Sequence, residues 1–183
     1  MRTDVPEKLL KIADDIAARG NVPLTRLTVL KAWFDGLDRL KGFAVWLAGR
    51  ASSRTGKSKG EAAELFKAAR ALLAKADRYR PQLDRAAARD LHERLVAFQN
   101  EYQNQQWGSV RVVHNWNLML VEEGLGIWLS DRPEPSRGYK LAADYCQNYD
   151  SRYGNGLNGP SATKIEEIVR FLFTIEAWEE GIE

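Results

Sequence analysis

The sequence predicts an all-α fold: a helical bundle of six or seven helices with short connections and one mobile basic loop. Apolar residues recur at steps of three and four over most of the 183 residues, the period of a helix with one buried face. No set of alternating strands remains from which a parallel sheet could be built. The composition suits a packed chain, with 44% apolar and 28% charged residues. A chain of this length can bury roughly 70% of the surface it exposes when unfolded. Residues 1–183 read as a single helical domain. Charge divides it into a basic part, 1–104, and an acidic part rich in aromatic and amide residues, 105–183.

Asp4 caps a first helix with Pro6 in its first turn; Leu9, Ile12, Ala13 and Ile16 share its apolar face, and Gly20 stops it. After Pro23, the residues Leu27, Leu30, Phe34, Leu37, Leu40, Ala44 and Leu47 define a second helix. Trp33, Phe43, Val45 and Trp46 widen its stripe, which places it centrally. Gly36 and Gly42 inside it each cost about 1 kcal/mol relative to Ala, so either a neighbour crosses closely there or the helix breaks. Residues 50–60 carry Arg50, Arg54, Lys57 and Lys59 without one acid and form the basic loop. Helical spacing resumes over 61–77, with Glu61 and Glu64 at the start and Lys75 and Arg78 at the end, as the helix dipole favours. Pro81 opens a helix carrying Leu83, Ala87, Leu91, Leu95, Phe98 and Tyr102. Over 110–123 the β-branched Val110, Val112 and Val113 compete with the helical spacing of His114, Leu118, Val121 and Leu125, and helix is the favoured reading. Pro133 and Pro135 mark a linker, and Ser136 caps a short helix through Leu141, Tyr145 and Tyr149. Gly154, Gly156, Gly159 and Pro160 make an exposed loop. Ser161 then caps the last helix, with Ile165, Ile168, Val169, Leu172, Ile175 and Trp178 facing inward.

Charge is distributed unevenly. Residues 1–90 hold 19 Lys and Arg against 11 Asp and Glu, whereas 91–183 hold 8 against 14, so an overall net charge of +2 conceals +8 facing −6. Asp14 and Asp15 interrupt the stretch in which a secretory signal would need continuous apolar residues, and no apolar run reaches the ~18 residues of a membrane span. The one cysteine, Cys146, cannot form an internal bridge. A cytoplasmic location without membrane contact is the expectation.

The motifs that could carry chemistry fail on their context. Ala51 followed by Gly56-Lys57-Ser58 satisfies a relaxed phosphate-loop pattern, but such a loop must join a strand to a helix, and the segment before it reads as helix. His92-Glu93 lacks the second histidine of a zinc-protease helix, because position 96 is Val96. Arg89 and Arg111 stand three residues before His92 and His114, where a di-iron bundle needs glutamates. Cys146 has no neighbouring cation in sequence to lower its pKa. Glu122 and Glu123 are adjacent on a helix and point about 100° apart, so they do not face each other as an acid–base pair. Neither a catalytic site nor a cofactor or metal site is expected.

Binding surfaces remain. Arg50, Arg54, Lys57, Lys59, Lys67 and Arg70 begin a basic stretch that continues to residue 89 and suits a partner or the phosphate backbone of a nucleic acid. Glu176, Glu179 and Glu180 crowd the C-terminal turn of the last helix, where carbonyls already carry partial negative charge, so a cation must lie nearby. The chain's own basic half, a second copy or another protein would supply it. Trp107, His114, Trp116 and Asn117, with Tyr149, Tyr153, Asn155 and Asn158, set polar groups beside rings and suit a partner or a small-molecule pocket. Burial accounts for Trp33 and Trp46, whereas Trp107 and Trp116 are expected to be partly exposed. The chain is therefore expected to be a non-catalytic interaction protein, a subunit or adaptor in a cytoplasmic assembly, with a protein partner or self-association. The alternatives are nucleic-acid binding through 50–89 and a small-molecule enzyme using 107–158.

Overall fold

The computed structural model describes residues 3–20, 22–54, 58–77, 79–104, 109–150 and 156–182; within these, residues 102–104, 109–115, 148–150 and 156–159 are described by their backbone alone. Helix α1 (Val5–Arg19) is followed by a 3-10 segment (Leu24–Val29), α2 (Leu30–Trp33), α3 (Leu37–Ser52), α4 (Glu61–Leu73), α5 (Arg85–Asn104), α6 (Ser109–Leu129) and α7 (Pro135–Cys146). A ribbon of β1 (Gln147–Asp150) and β2 (Gly156–Pro160) leads into α8 (Ala162–Glu179). The described residues thus form eight helices rather than six or seven.

The extra helix arises where the sequence predicted one continuous element over 27–47. α2 ends when Phe34 N donates to Leu30 O and Phe34 turns to φ −77°, ψ 43°. The interruption lets Phe34 and Leu40 close together on α7, where a Cβ on Gly138 would lie 2.6 Å from the Phe34 ring and 2.5 Å from Leu40 Cδ1. Between the two alternatives that Gly36 raised, the structure takes the break.

Helix α3 occupies the centre, packing against α4, α6 and α7, while α1 lies on α8 and α5 on α6. The basic and acidic parts therefore share one core, which runs from Val5 to Ile175. Leu40, Phe43, Ala44, Leu47, Ala48 and Ala51 of α3 are buried. Two of them are small for a reason. Gly124 of α6 comes so close that a Cβ there would sit 2.7 Å from Ala44 O and 2.9 Å from Ala48 Cβ.

Several boundaries differ from the sequence reading. α3 runs to Ser52, so the helix takes up Arg50 and the connection before α4 is shorter than 50–60; Gly56 and Lys57 lie outside the described residues. α5 starts at Arg85 rather than at Pro81, because Asp84 Oδ1 accepts from Ala87 N at 3.0 Å and caps it. Pro135, not Ser136, opens α7. Residues 110–123 are helical within α6. The loop expected at 154–160 is in part a strand: β2 pairs antiparallel with β1 (Gln147 with Pro160, Tyr149 with Leu157), and Ser161 N donates to Cys146 O at the base of the ribbon. Gly20, at φ +82°, closes α1 through its N–H to Ile16 O, and Ser161 Oγ accepts from Lys164 N to cap α8. No helix among the described residues is long and apolar enough to cross a membrane.

Substituting Gly124→Ala forces α6 away from the Ala44 carbonyl and is expected to cost about 1–3 kcal/mol, the usual range for overpacking. Urea unfolding checks this, with Gly49→Ala as control, since a Cβ at Gly49 meets nothing within 4 Å.

Candidate ligand groove and basic cluster

Trp46 and Arg50 are one turn apart on α3 and share a face. Trp46 stacks on Phe171 of α8, with ring centroids 4.5 Å apart and planes 20° from parallel. Val45 of α3 and Leu73 of α4 extend this floor into an open groove of about 460 Å³ between α3, α4 and α8. Arg50, Glu167, Arg170 and Thr174 form its polar rim.

At the end of the rim lies a basic cluster built from distant segments. Arg50 Nη2 is 3.0 Å from Glu167 Oε2, and Arg54 Nη2 is 3.4 Å from Glu167 Oε1. The buried Tyr145 of α7 donates its hydroxyl proton to Glu167 Oε2 at 2.5 Å and accepts from Arg54 Nη2 at 3.2 Å. Burial alone would raise the Glu167 carboxyl, but hydrogen bonds from Tyr145 and Arg50 outweigh it and hold the group below its ordinary range. Burial, reinforced by Glu167, pushes the Tyr145 phenol up to about 12, so it stays a neutral donor. Lys164, in the first turn of α8, donates to Gln147 O at 3.2 Å and lies 5.3 Å from the centre of the Tyr145 ring. Burial and then the Arg54 charge lower its pKa. Cys146 is wholly buried beside this cluster and its thiol is pushed up to about 12 by burial, which makes it inert as a nucleophile at neutral pH.

The structure gathers some of the expected contact residues and separates others. Arg50 and Arg54 join the cluster, and Asn117 of α6 reaches it too, because Asn117 Nδ2 donates to Arg54 O at 3.2 Å. Lys59, Lys67 and Arg70 are exposed on the approach to α4 and along it, with Arg70 Nη1 3.5 Å from Ser52 O. Trp116 is half-buried and donates from Nε1 to Asp144 O at 3.1 Å. Lys57, Trp107, Tyr153 and Asn155 lie outside the described residues, as do the side chains of His114, Tyr149 and Asn158.

The acidic turn of α8 meets cations of its own chain. Glu179 takes a two-pronged contact from Arg39, Nε to Oε1 at 3.0 Å and Nη2 to Oε2 at 2.5 Å. The same guanidinium lies 4.7 Å above the Trp33 ring. Glu176 is only 2% exposed; its Oε1 accepts from Trp33 Nε1 at 2.9 Å and from the Thr3 hydroxyl at 2.6 Å, tying the start of the chain and α2 to α8. Glu180 is exposed. The sequence reading did not single out Trp46, Phe171, Tyr145, Lys164, Glu167 or Arg170 as site residues. Trp46 falls in the predicted core stripe and Phe171 in none, and Glu167 gains its meaning only from arginines 113 and 117 residues away.

A second polar centre lies where α7 meets α6. Lys140 Nζ is 2.7 Å from Glu123 Oε1 and 3.8 Å from Asp144 Oδ2. His92 Nε2 approaches Glu122 Oε1 at 3.1 Å. Among the described residues no three His, Cys, Asp or Glu side chains gather as a metal site. Burial, then the Glu123 charge, raises Asp144 to about 6 against the pull of Lys140. The folded chain therefore holds a proton that the unfolded chain has released between about pH 4 and about pH 6, and stability falls as pH rises through that window. Asp144→Asn is expected to stabilise the fold near pH 7.5 and to gain less near pH 4.5 in urea titrations; a pH-independent difference would contradict this. No protein-family model matches the chain, and no curated protein or solved structure matches it.

Proposed function

We propose that the chain is a non-catalytic interaction protein, a subunit or adaptor that receives an acidic, aromatic- or aliphatic-bearing segment of a protein partner in the groove between α3, α4 and α8. One observation carries this reading: a stacked Trp46–Phe171 floor lies directly beside the Arg50 and Arg170 rim. Tryptophan and arginine are the side chains that most often dominate binding energy at interfaces, and a guanidinium rim selects carboxylates by geometry as well as by charge. The inert Cys146 and the prior engagement of Glu167 by Tyr145 and Arg50 favour binding over nucleophilic or acid–base chemistry.

Nucleic-acid binding is the second reading, supported by the exposed Lys59, Lys67 and Arg70 next to Arg54. Fluorescence polarisation separates the two. A labelled peptide of Glu, Trp and Leu is expected to bind, and Trp46→Ala or Arg170→Glu to weaken it about tenfold or more, ~1.4 kcal/mol. Labelled DNA and RNA oligonucleotides are expected to associate weakly, losing what affinity they have at raised salt. Tight, salt-sensitive oligonucleotide binding that is abolished by replacing Arg54, Lys59 and Lys67 with Ala, with the peptide inert, would replace the groove reading by the second one.

A further inference from the structure

Among the described residues around Tyr145, three cations face one carboxylate. Arg50 and Arg54 both reach Glu167, whereas Lys164 spends its hydrogen bond on the neutral Gln147 carbonyl. Arg54 and Lys164 each lie over the Tyr145 ring, 5.4 and 5.3 Å from its centre. Among the described side chains beside Lys164, the Tyr145 hydroxyl and the Cys146 thiol are both held neutral at pH 7. Burial and then the Arg54 charge outweigh the opposing influence of Cys146 and Glu167 on Lys164, so the burial of this ammonium is not offset within the cluster. Lys164 also stands in the first turn of α8, where the helix dipole adds positive potential.

We propose that Arg54 and Lys164, with Arg50 beside them, form a binding site for a doubly charged oxyanion, a phosphoryl group. Two excess positive charges match a phosphate dianion better than a single carboxylate, and a planar guanidinium beside an ammonium provides forked and point-charge donors to its oxygens. Asn117 fixes the site by holding the Arg54 backbone from α6, while Ser161 caps the helix that carries Lys164. Glu167 keeps its bond to Tyr145 and orients Arg50. The site goes beyond the groove reading, because the phosphoryl group can come from a free small molecule or from a phosphorylated residue of a docked segment.

The test uses the full chain and inorganic phosphate. At about ten times its dissociation constant, phosphate is expected to raise the melting temperature by about 4 °C over sodium chloride of equal ionic strength. Lys164→Met and Arg54→Gln are each expected to abolish the difference, and Lys164→Arg to restore most of it. Arg54 is exposed, so its variant answers the question even where Lys164→Met fails to fold. Equal shifts in phosphate and chloride, or a phosphate shift that survives Arg54→Gln, overturn the proposal. A phosphoserine-containing acidic peptide that binds at least tenfold more tightly than its serine counterpart identifies a macromolecular source. Equal peptide affinities together with the phosphate shift identify a small-molecule source. Arg170→Gln separates the two readings, since Arg170 stands on the groove rim and pairs with Glu166 rather than with the cluster; it is expected to weaken peptide binding and to leave the phosphate shift intact.

Discussion

The approach of α6 to α3 at Gly124 constrains everything around it. With hydrogen in place of a side chain at Gly124 and methyl groups at Ala44 and Ala48, the two backbones come within a distance that no Cβ tolerates. α3 can then be surrounded, by α6 on this face and by α4 and α7 on others. The face left over carries Trp46, Gly49 and Arg50, and Phe171 of α8 and Leu73 of α4 cover it in part. The groove is thus the residue of a packing problem: a central helix with more apolar surface than its neighbours can cover. A larger residue at position 44, 48 or 124 would tilt α6 and alter the groove without touching its lining.

The division of charge along the chain is in part consumed by folding. Arg39 reaches Glu179, Arg50 and Arg54 reach Glu167, and Arg85 reaches Asp131. Each joins the basic part to the acidic part. These pairs differ in weight. Arg39 is 12% exposed at its side chain, doubly bonded to Glu179 and stacked on Trp33, whereas Arg85 and Asp131 are 49% and 93% exposed and contribute little. A linear charge asymmetry therefore does not by itself distinguish a partner from the other end of the same molecule. The demand for a cation near Glu179, made from the helix dipole rather than from the asymmetry, is met by Arg39.

Helices were legible where one face is apolar and the ends carry their own signals. Gly20 and Ser161 act as read, because a left-handed glycine and a hydroxyl cap depend on local chemistry. The break after Trp33 was not fixed by local signals. Gly36 permits it, but the reason for it is the fit of Phe34 and Leu40 against Gly138, more than a hundred residues on. The ribbon of β1 and β2 escaped for a similar reason: Gly156 and Gly159 have the composition of a loop, and their pairing with residues after Cys146 is a tertiary outcome. Of the site, Arg50, Arg54 and Asn117 were visible as polar residues in polar company. Trp46 was hidden by its apolar stripe, since periodicity assigns a residue to a face without stating whether a neighbour covers that face completely.

Arg50 belongs to both the groove and the cluster, and its exposure decides how the two interact. Its side chain is 45% exposed, so its pairing with Glu167 is worth about 1 kcal/mol or less and can be exchanged for a ligand carboxylate at small cost. The Tyr145–Glu167 bond is different in kind. Its donor is buried and its acceptor carboxylate is 18% exposed, so removing either partner strands the other. A ligand that draws Arg50 into the groove would thus leave Glu167 anchored and still screening Arg54. A ligand that displaced Glu167 would expose Arg54 and Lys164 to each other with less negative charge between them, which the repulsion already present at Lys164 opposes. The rim arginine is the exchangeable part of the arrangement, and Glu167 and Tyr145 are the fixed part against which exchange occurs.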